Sequence, residues 1–109
     1  MDTREERLAR NEIVFREINE RIEALAHTQG QDDHVFEFIC ECSNGDCTLR
    51  LPLTLELYES TRADPASFIV APGHELPEIE DVVDRGAGYQ VVRKTGAAAR
   101  LAREEDPRS

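Results

Sequence analysis

Apolar side chains near the start of the chain recur at spacings of three and four residues, which is the spacing of a heptad stripe. Its members are Leu8, Asn11, Phe15, Ile18, Ile22 and Leu25, with Asn11 as the polar exception. Thr3 and Glu6 have the spacing of a capping box, so a helix is expected to begin there. Gly30 is a plausible terminator, and residues 29 to 33 are polar. The pattern therefore predicts a long N-terminal amphipathic helix over residues 1–29, followed by a short linker.

This helix has two possible packing partners. Three heptads are enough to pair with a second copy, and the same stripe can instead lie along a sheet of its own chain. Ile13 and Val14 fall outside the narrow stripe, so the helix carries apolar side chains on a second face. We therefore expect the helix to contact a protein partner or another copy of the chain through Phe15, Ile18 and Ile22.

The middle of the chain changes to a pattern typical of strands. Val35 to Ile39 is β-branched and aromatic, and Thr48 to Leu53 alternates apolar with polar residues. The two segments flank Ser43 to Asp46, where Asn44-Gly45 is expected to supply the positive backbone angle of a tight hairpin turn. Pro52 cannot donate to a ladder, which places it at a sheet edge or a strand end.

Further short elements follow, each with a local signal. They are a helix from Leu55 to about Ala63 capped by Thr54, a strand at Phe68–Val70, a constrained loop at Ala71–Pro77, a hairpin of Ile79–Arg85 with Tyr89–Lys94, and a helix at Ala97–Arg103. The segment Ile79 to Asp84 could instead form one or two helical turns. The expected fold class is α+β: the long N-terminal helix, a small antiparallel sheet built from hairpins, one short middle helix and a short C-terminal helix. One small domain, 1–109, then comprises the N-terminal helix (1–29), an α+β body (34–94) and a C-terminal helix with a frayed tail (95–109).

Composition and charge narrow the classes of function. The 109 residues are 39% hydrophobic and lack Trp, so one modest core is expected, and a domain of this size is marginally stable. The formal net charge is -10, and most of the excess acid lies in the body. Such a surface repels phosphate backbones, which argues against direct nucleic-acid binding. No apolar run approaches membrane-spanning length and no targeting signal is visible, so the expected location is the cytoplasm.

All three cysteines of the chain lie within one predicted hairpin. Cys40 and Cys42 are two residues apart on the first strand, and Cys47 begins the returning strand. Three thiolates need one more donor to complete a tetrahedral zinc site. Of the three histidines, His74 is favoured because the Pro72-Gly73 corner can present its imidazole at a fixed angle. We therefore predict a Zn²⁺ site formed by Cys40, Cys42, Cys47 and His74.

One geometric objection and two alternative interpretations remain for this cluster. An extended Cys-x-Cys separates its Cα atoms by about 6.5 Å, so the site requires a twist or bulge near Glu41. The thiols can simply be reduced side chains, with Cys40 or Cys42 buried. Adjacent thiolates can also expel zinc and form a disulfide on oxidation, as in a redox sensor.

The chain offers little sign of an enzyme. Its carboxylates lie in polar runs, without the apolar surroundings that would shift their pKa values as catalysis requires. The sequence also contains neither a nucleophile turn nor a phosphate-binding glycine loop. A closed site of three cysteines and one histidine favours a structural ion. The predicted function is a small, acidic, non-enzymatic, zinc-stabilised adaptor or regulatory module that binds protein. A thiol-based redox or zinc sensor is the alternative, and a metal-dependent enzyme is a weaker one.

Overall fold

The computed structural model describes residues 3–28 and 34–108. Its first element, α1, is a helix at Arg4–Thr28. The Thr3 hydroxyl oxygen accepts a hydrogen bond of 3.1 Å from the Glu6 backbone amide and lies 3.3 Å from the Glu6 carboxylate, so the predicted capping pair is confirmed. The predicted linker and its Gly30 terminator lie outside the described residues.

The remaining elements form two antiparallel sheets with two short helices. Their bounds are β1 (Val35–Ile39), β2 (Arg50–Thr54), α2 (Leu55–Arg62), β3 (Ser67–Val70), β4 (Glu80–Gly86), β5 (Tyr89–Lys94) and α3 (Gly96–Glu104). β1 pairs with β2 in one sheet, and the second sheet has the order β3-β5-β4. The predicted α+β architecture and both hairpins are confirmed, and residues 80–86 form a strand rather than helical turns.

Local chemistry accounts for several boundaries. The Thr54 hydroxyl oxygen accepts a bond of 3.2 Å from the Leu57 amide and caps α2. The turn between β4 and β5 contains Gly88 at a φ of +80°, a conformation that L side chains rarely adopt. Pro52 lies in β2, which within the described residues pairs only with β1, so this proline lies on an edge strand as predicted.

The hydrophobic core lies between α1 and the two sheets. Phe38 of β1 stacks on Tyr58 of α2 with ring centroids 4.6 Å apart, and both rings are buried. Phe68, Ile69 and Val70 of β3 are fully buried in the same cluster, which α3 joins through Ala98 and Leu101. One continuous core thus connects both sheets.

The face of α1 that contacts this core agrees with the predicted stripe only in part. We call it the inner face, and its buried members are Ala9, Glu12, Ile13, Arg16, Asn19 and Ala26. Of the predicted stripe, Leu8 and Ile22 pack half-buried against the core, whereas Ile18 and Leu25 remain 41% and 68% exposed. Ile18 and Leu25, with Val14 and Arg21, form what we call the outer face. The heptad prediction was wrong for Ile18 and Leu25, because three polar residues at the i, i+4 and i+7 positions of the inner face find partners inside the protein and turn that face to the core.

The inner face places charge in the interior. Glu12 pairs with Lys94 of β5, which also pairs with Glu80 of β4, and all three side chains are fully buried. Arg16 donates to the carbonyl oxygen of Pro65 at 2.7 Å and also to that of Ser67. These contacts offset part of the cost of burial, although Glu12 Oε2 and Arg16 Nε have no hydrogen-bond partner.

The segment after α3 also differs from expectation. Arg62 of α2 lies 2.6 Å from a carboxylate oxygen of Asp106. Arg108 bonds to Glu59 at 2.8 Å and to Glu20 of α1 at 2.5 Å. The predicted frayed tail is therefore held against α1 and α2 as far as residue 108.

Among the described residues, none of the helices combines the length and the apolar content needed to cross a membrane.

Candidate metal site

Three cysteines lie in the loop between β1 and β2. The ladder ends at the Ile39–Arg50 pair, and one further bond joins the Cys40 amide to the Leu49 carbonyl at 3.0 Å. The loop is thus longer than the predicted four residues, and Cys47 lies within it rather than in the returning strand.

The tip of this loop closes without a positive φ. Among the described residues only Gly73, Gly88 and Gly96 have positive φ angles, so the expectation for Asn44-Gly45 was wrong. The Asn44 side-chain oxygen instead accepts from the Asp46 amide at 3.0 Å, and its carbonyl accepts from the Cys47 amide at 3.0 Å. This Asx turn brings Cys47 back towards Cys42.

His74 is positioned by the loop that follows β3. Its amide donates to the Ala71 carbonyl at 3.0 Å, which closes a turn with Pro72 and Gly73 at the two central positions. Gly73 has a φ of +84°. Proline followed by a glycine of positive φ is typical of a type II turn. The predicted Pro-Gly corner therefore exists and fixes the backbone from which the imidazole projects.

The four predicted donors come together. One ligand atom from each of Cys40, Cys42, Cys47 and His74 lies within 4.8 Å of the others. His74 Nδ1 is 3.7 Å from both Cys40 Sγ and Cys47 Sγ. In a tetrahedral zinc site, bond lengths of about 2.3 Å to sulfur and about 2.0 Å to nitrogen separate these two atoms by roughly 3.5 Å. The spacings of His74 to Cys40 and Cys47 thus fit a metal ion of this kind.

The other two histidines lie elsewhere. His27 is exposed at the end of α1, beside Glu23 and Glu59. His34 is exposed and makes an edge contact with Phe36, with ring centroids 4.8 Å apart. Neither belongs to the group of four donors, in agreement with the choice of His74 from sequence.

Hydrogen bonds act on the thiols of this site in different directions, and they favour the thiolate form at Cys42. The Ala71 amide donates to Cys40 Sγ at 3.1 Å. A hydrogen bond from Cys40 lowers the pKa of Cys42 to about 5, despite burial. The same bond, together with burial, raises the pKa of Cys40, and burial raises that of Cys47. Cys42 is therefore the cysteine of this site that loses its proton most readily, and a bound cation would displace the thiol protons of the other two.

The regular pairing of β1 with β2 stops close to Glu41, where a twist or bulge was predicted. β1 ends at Ile39 and the Cys40 amide makes the last bond to the other side of the hairpin, so Glu41 and Cys42 lie beyond the ladder. Glu41 points the other way and is fully buried. Its carboxylate accepts from the Asn19 side chain at 2.9 Å and from the Ile69 amide at 3.0 Å.

Sequence reasoning missed Asn19 and Glu41 as parts of this region. A signal existed, since alternation in an extended segment turns Glu41 away from the sulfurs and towards the core. A carboxylate directed into a core requires a partner, and α1 is the nearest long element that carries polar residues.

Comparison with known proteins adds no family to this description. The sequence matches no protein-family model, and neither curated proteins nor solved structures give a match.

Proposed function

We propose that this protein is a non-enzymatic, zinc-stabilised module that binds protein, with one Zn²⁺ held by Cys40, Cys42, Cys47 and His74. The observation that carries the proposal is the convergence of these four donors within 4.8 Å. Three thiolates and an imidazole match the preference of zinc over oxygen-seeking cations. Four protein donors fill a tetrahedral shell, which favours a structural ion over a catalytic one.

The position of the site explains what the ion would do. The cysteine loop extends from the β1–β2 sheet, and the loop of His74 extends from β3 in the other sheet. One ion would therefore link the two sheets at a point where regular pairing ends. A small domain with a modest core gains from such a link. A reducing cytoplasm, which keeps thiols available for metal, fits this role.

The outer face of α1 is the proposed contact surface for a protein partner or a second copy. Val14, Ile18 and Leu25 are exposed along one side of the helix. Of the residues expected from sequence, Ile18 is on this surface, whereas Phe15 and Ile22 are half-buried. Apolar residues at these helical spacings suit helix-to-helix packing.

Metal analysis of the wild-type protein and of Cys47→Ser tests the zinc site. We expect close to one zinc per wild-type chain and little in the variant. At free zinc 100-fold above the dissociation constant, binding should add about 2.7 kcal/mol to the unfolding free energy of the wild type. Inductively coupled plasma analysis and urea unfolding with and without zinc measure the two effects.

Ser43→Ala is the matched control, because this neighbouring loop residue contributes only its backbone carbonyl to the bond with Asn11. It should bind zinc like the wild type. Wild-type protein without zinc, or with unchanged stability after zinc addition, would contradict the proposal.

A thiol sensor is the second candidate, favoured by the three cysteine sulfurs, which lie within 4.8 Å of one another, and by the half-exposed Cys47. Peroxide would take two electrons from two thiols, forming one disulfide and two waters while the ion leaves. Reversible loss of two hydrogens together with zinc, seen by mass spectrometry, would favour this function over a purely structural ion.

A further inference from the structure

Asn19 of α1 holds the backbone immediately before the first cysteine. Its side-chain oxygen accepts from the Ile39 amide at 2.8 Å, and its side-chain nitrogen donates to the Ile39 carbonyl at 2.8 Å. One buried amide side chain thus satisfies both backbone groups of a single residue, which fixes the chain in position and orientation where β1 ends.

Glu41, which lies between the two buried cysteines, is also held by hydrogen bonds from distant segments. Its backbone amide donates to the Ile69 carbonyl at 2.8 Å, while its carboxylate accepts from the Ile69 amide and from Asn19. The residue is fully buried and bonded to β3 on one side and to α1 on the other.

Residues 39–43 therefore have two faces: one contacts α1 and the other carries the metal donors. Ile39, Glu41 and Ser43 contact α1, the last through a bond of 2.8 Å from Asn11 to its carbonyl. Cys40 and Cys42 alternate with them and join the donor group. Side chains two residues apart in an extended segment share a direction, and neighbouring side chains point to opposite sides. Fixing Ile39, Glu41 and Ser43 against α1 therefore also fixes the direction in which the sulfurs of Cys40 and Cys42 point.

β3 connects this support to the other half of the site. Ile69, which holds Glu41, lies two residues before Ala71, whose amide donates to Cys40 Sγ. Ala71 also begins the turn that presents His74. Glu41 thus fixes the cysteine segment relative to the same strand end from which the histidine loop departs.

We propose that Asn19 and Glu41 are positioning residues of the metal site, so that α1 sets the affinity for the ion without supplying a ligand. This inference rests on the proposed zinc site. Partners of metal ligands that orient them contribute about 10- to 100-fold to metal affinity. Coupling is reciprocal, so the bound ion stabilises the docking of α1 to the same degree.

The test compares Asn19→Ala and Glu41→Gln with the wild type, using Zn²⁺ in competition with a chromophoric chelator and Co²⁺ as a spectroscopic probe. Both oxygens of the Glu41 carboxylate accept a hydrogen bond, one from Asn19 and one from the Ile69 amide. In Glu41→Gln one of these oxygens is replaced by an amide nitrogen that cannot accept, so one of the two bonds is lost in either orientation of the side chain. We expect each variant to bind zinc at least about 10-fold more weakly, with altered tetrahedral Co²⁺ absorption bands. A 10-fold loss lowers the zinc-induced gain in unfolding free energy by about 1.4 kcal/mol.

Ile13→Ala is the control for general destabilisation, because this buried side chain is on the same inner face but is apolar. It should lower the stability of the metal-free protein while leaving zinc affinity and the Co²⁺ spectrum close to those of the wild type. Asn11→Ala, which removes only the contact with Ser43, gives a milder variant should Asn19→Ala fail to fold, and we expect a smaller loss in the same direction.

Two results would overturn the inference. Wild-type affinity and spectrum in the Asn19, Glu41 and Asn11 variants would show that α1 does not position the ligands. An equal loss in Ile13→Ala would show that the effect is only stability. Absence of zinc from the wild-type protein is a different outcome, because it removes the proposed metal site itself and the inference with it.

Discussion

The inner and outer faces of α1 differ in the kind of side chain each carries. The inner face buries Glu12, Arg16 and Asn19 against the rest of the protein, whereas the outer face exposes Val14, Ile18 and Leu25. An ordinary amphipathic helix has the opposite distribution. The difference shows that burial here follows specific polar partners as well as apolar area, and it leaves an apolar surface available for contacts.

The largest expected change in unfolding free energy comes from replacing an arginine of the inner face by alanine, in comparison with an arginine of the outer face. Arg16→Ala removes a buried guanidinium that donates to two backbone carbonyls and lies 3.5 Å from the centre of the Phe68 ring. Hydrogen bonds made by charged groups contribute about 1.5–3 kcal/mol each, so a loss of about 3 kcal/mol or more is expected. Urea unfolding followed by circular dichroism measures the change.

Arg21→Ala on the outer face is the matched control. Its side chain is exposed, so the unfolding free energy should change by less than about 0.5 kcal/mol. Similar losses for Arg16→Ala and Arg21→Ala would contradict the assignment of the two faces.

A smaller effect, with a distinctive pH dependence, is expected at Glu12. Burial, which outweighs the attraction of Lys94 and is reinforced by Glu80, raises the pKa of Glu12 well above its usual value of 4.5. The folded state therefore favours the protonated carboxyl. Its contribution to stability is complete below the unfolded pKa and is lost as the pH rises through the folded pKa.

Glu12→Gln keeps the shape and cannot ionise, so its stability relative to the wild type should increase continuously as the pH rises from 4.5 towards neutrality. Urea unfolding at a series of pH values measures this difference. A relative stability that stays constant over that range would show that folding does not raise the pKa of Glu12, and one that decreases would show that folding lowers it.

The smallest effect on stability is expected on the outer face. Ile18→Glu places a charge on an exposed position, so the unfolding free energy should change by no more than about 0.5 kcal/mol. If the outer face pairs with a second copy, the variant should weaken self-association measured by sedimentation equilibrium. Val83→Glu, at an exposed apolar position of β4, is the control.

Equal association of wild type and Ile18→Glu would contradict pairing through this face, as would equal weakening by Val83→Glu. A wild-type protein that is monomeric at every concentration would exclude self-association and direct the search to a different protein partner.

The candidate site was accessible from sequence because its determinants are local. Three cysteines within eight positions and a histidine after a Pro-Gly corner identify the donors without any knowledge of distant contacts. The support for those donors was accessible only in part, because alternation directs Glu41 towards the core but does not identify its partner. Asn19 and Glu41 are 22 residues apart, and nothing in the spacing of either residue shows that their side chains meet.

The turn at Asn44-Gly45 shows the same limit on a smaller scale. The dipeptide correctly marked a reversal of the chain, but the longer loop closes through the Asn44 side chain and leaves Gly45 without a positive φ. Loop length depends on where the β1–β2 ladder stops, which the bonds of Ile39 and Glu41 to α1 help to set.

The sequence by itself determined the helix caps, the hairpins, the α+β class and the four donors, because capping, turn formation and side-chain alternation act over a few residues. The tertiary structure alone decided which face of α1 is buried. That choice depends on whether each polar group finds a partner in a distant segment, and here β3, β5 and the cysteine loop supply those partners. A hydrophobic pattern counts apolar area, and it contains no information on hydrogen bonds formed across the fold.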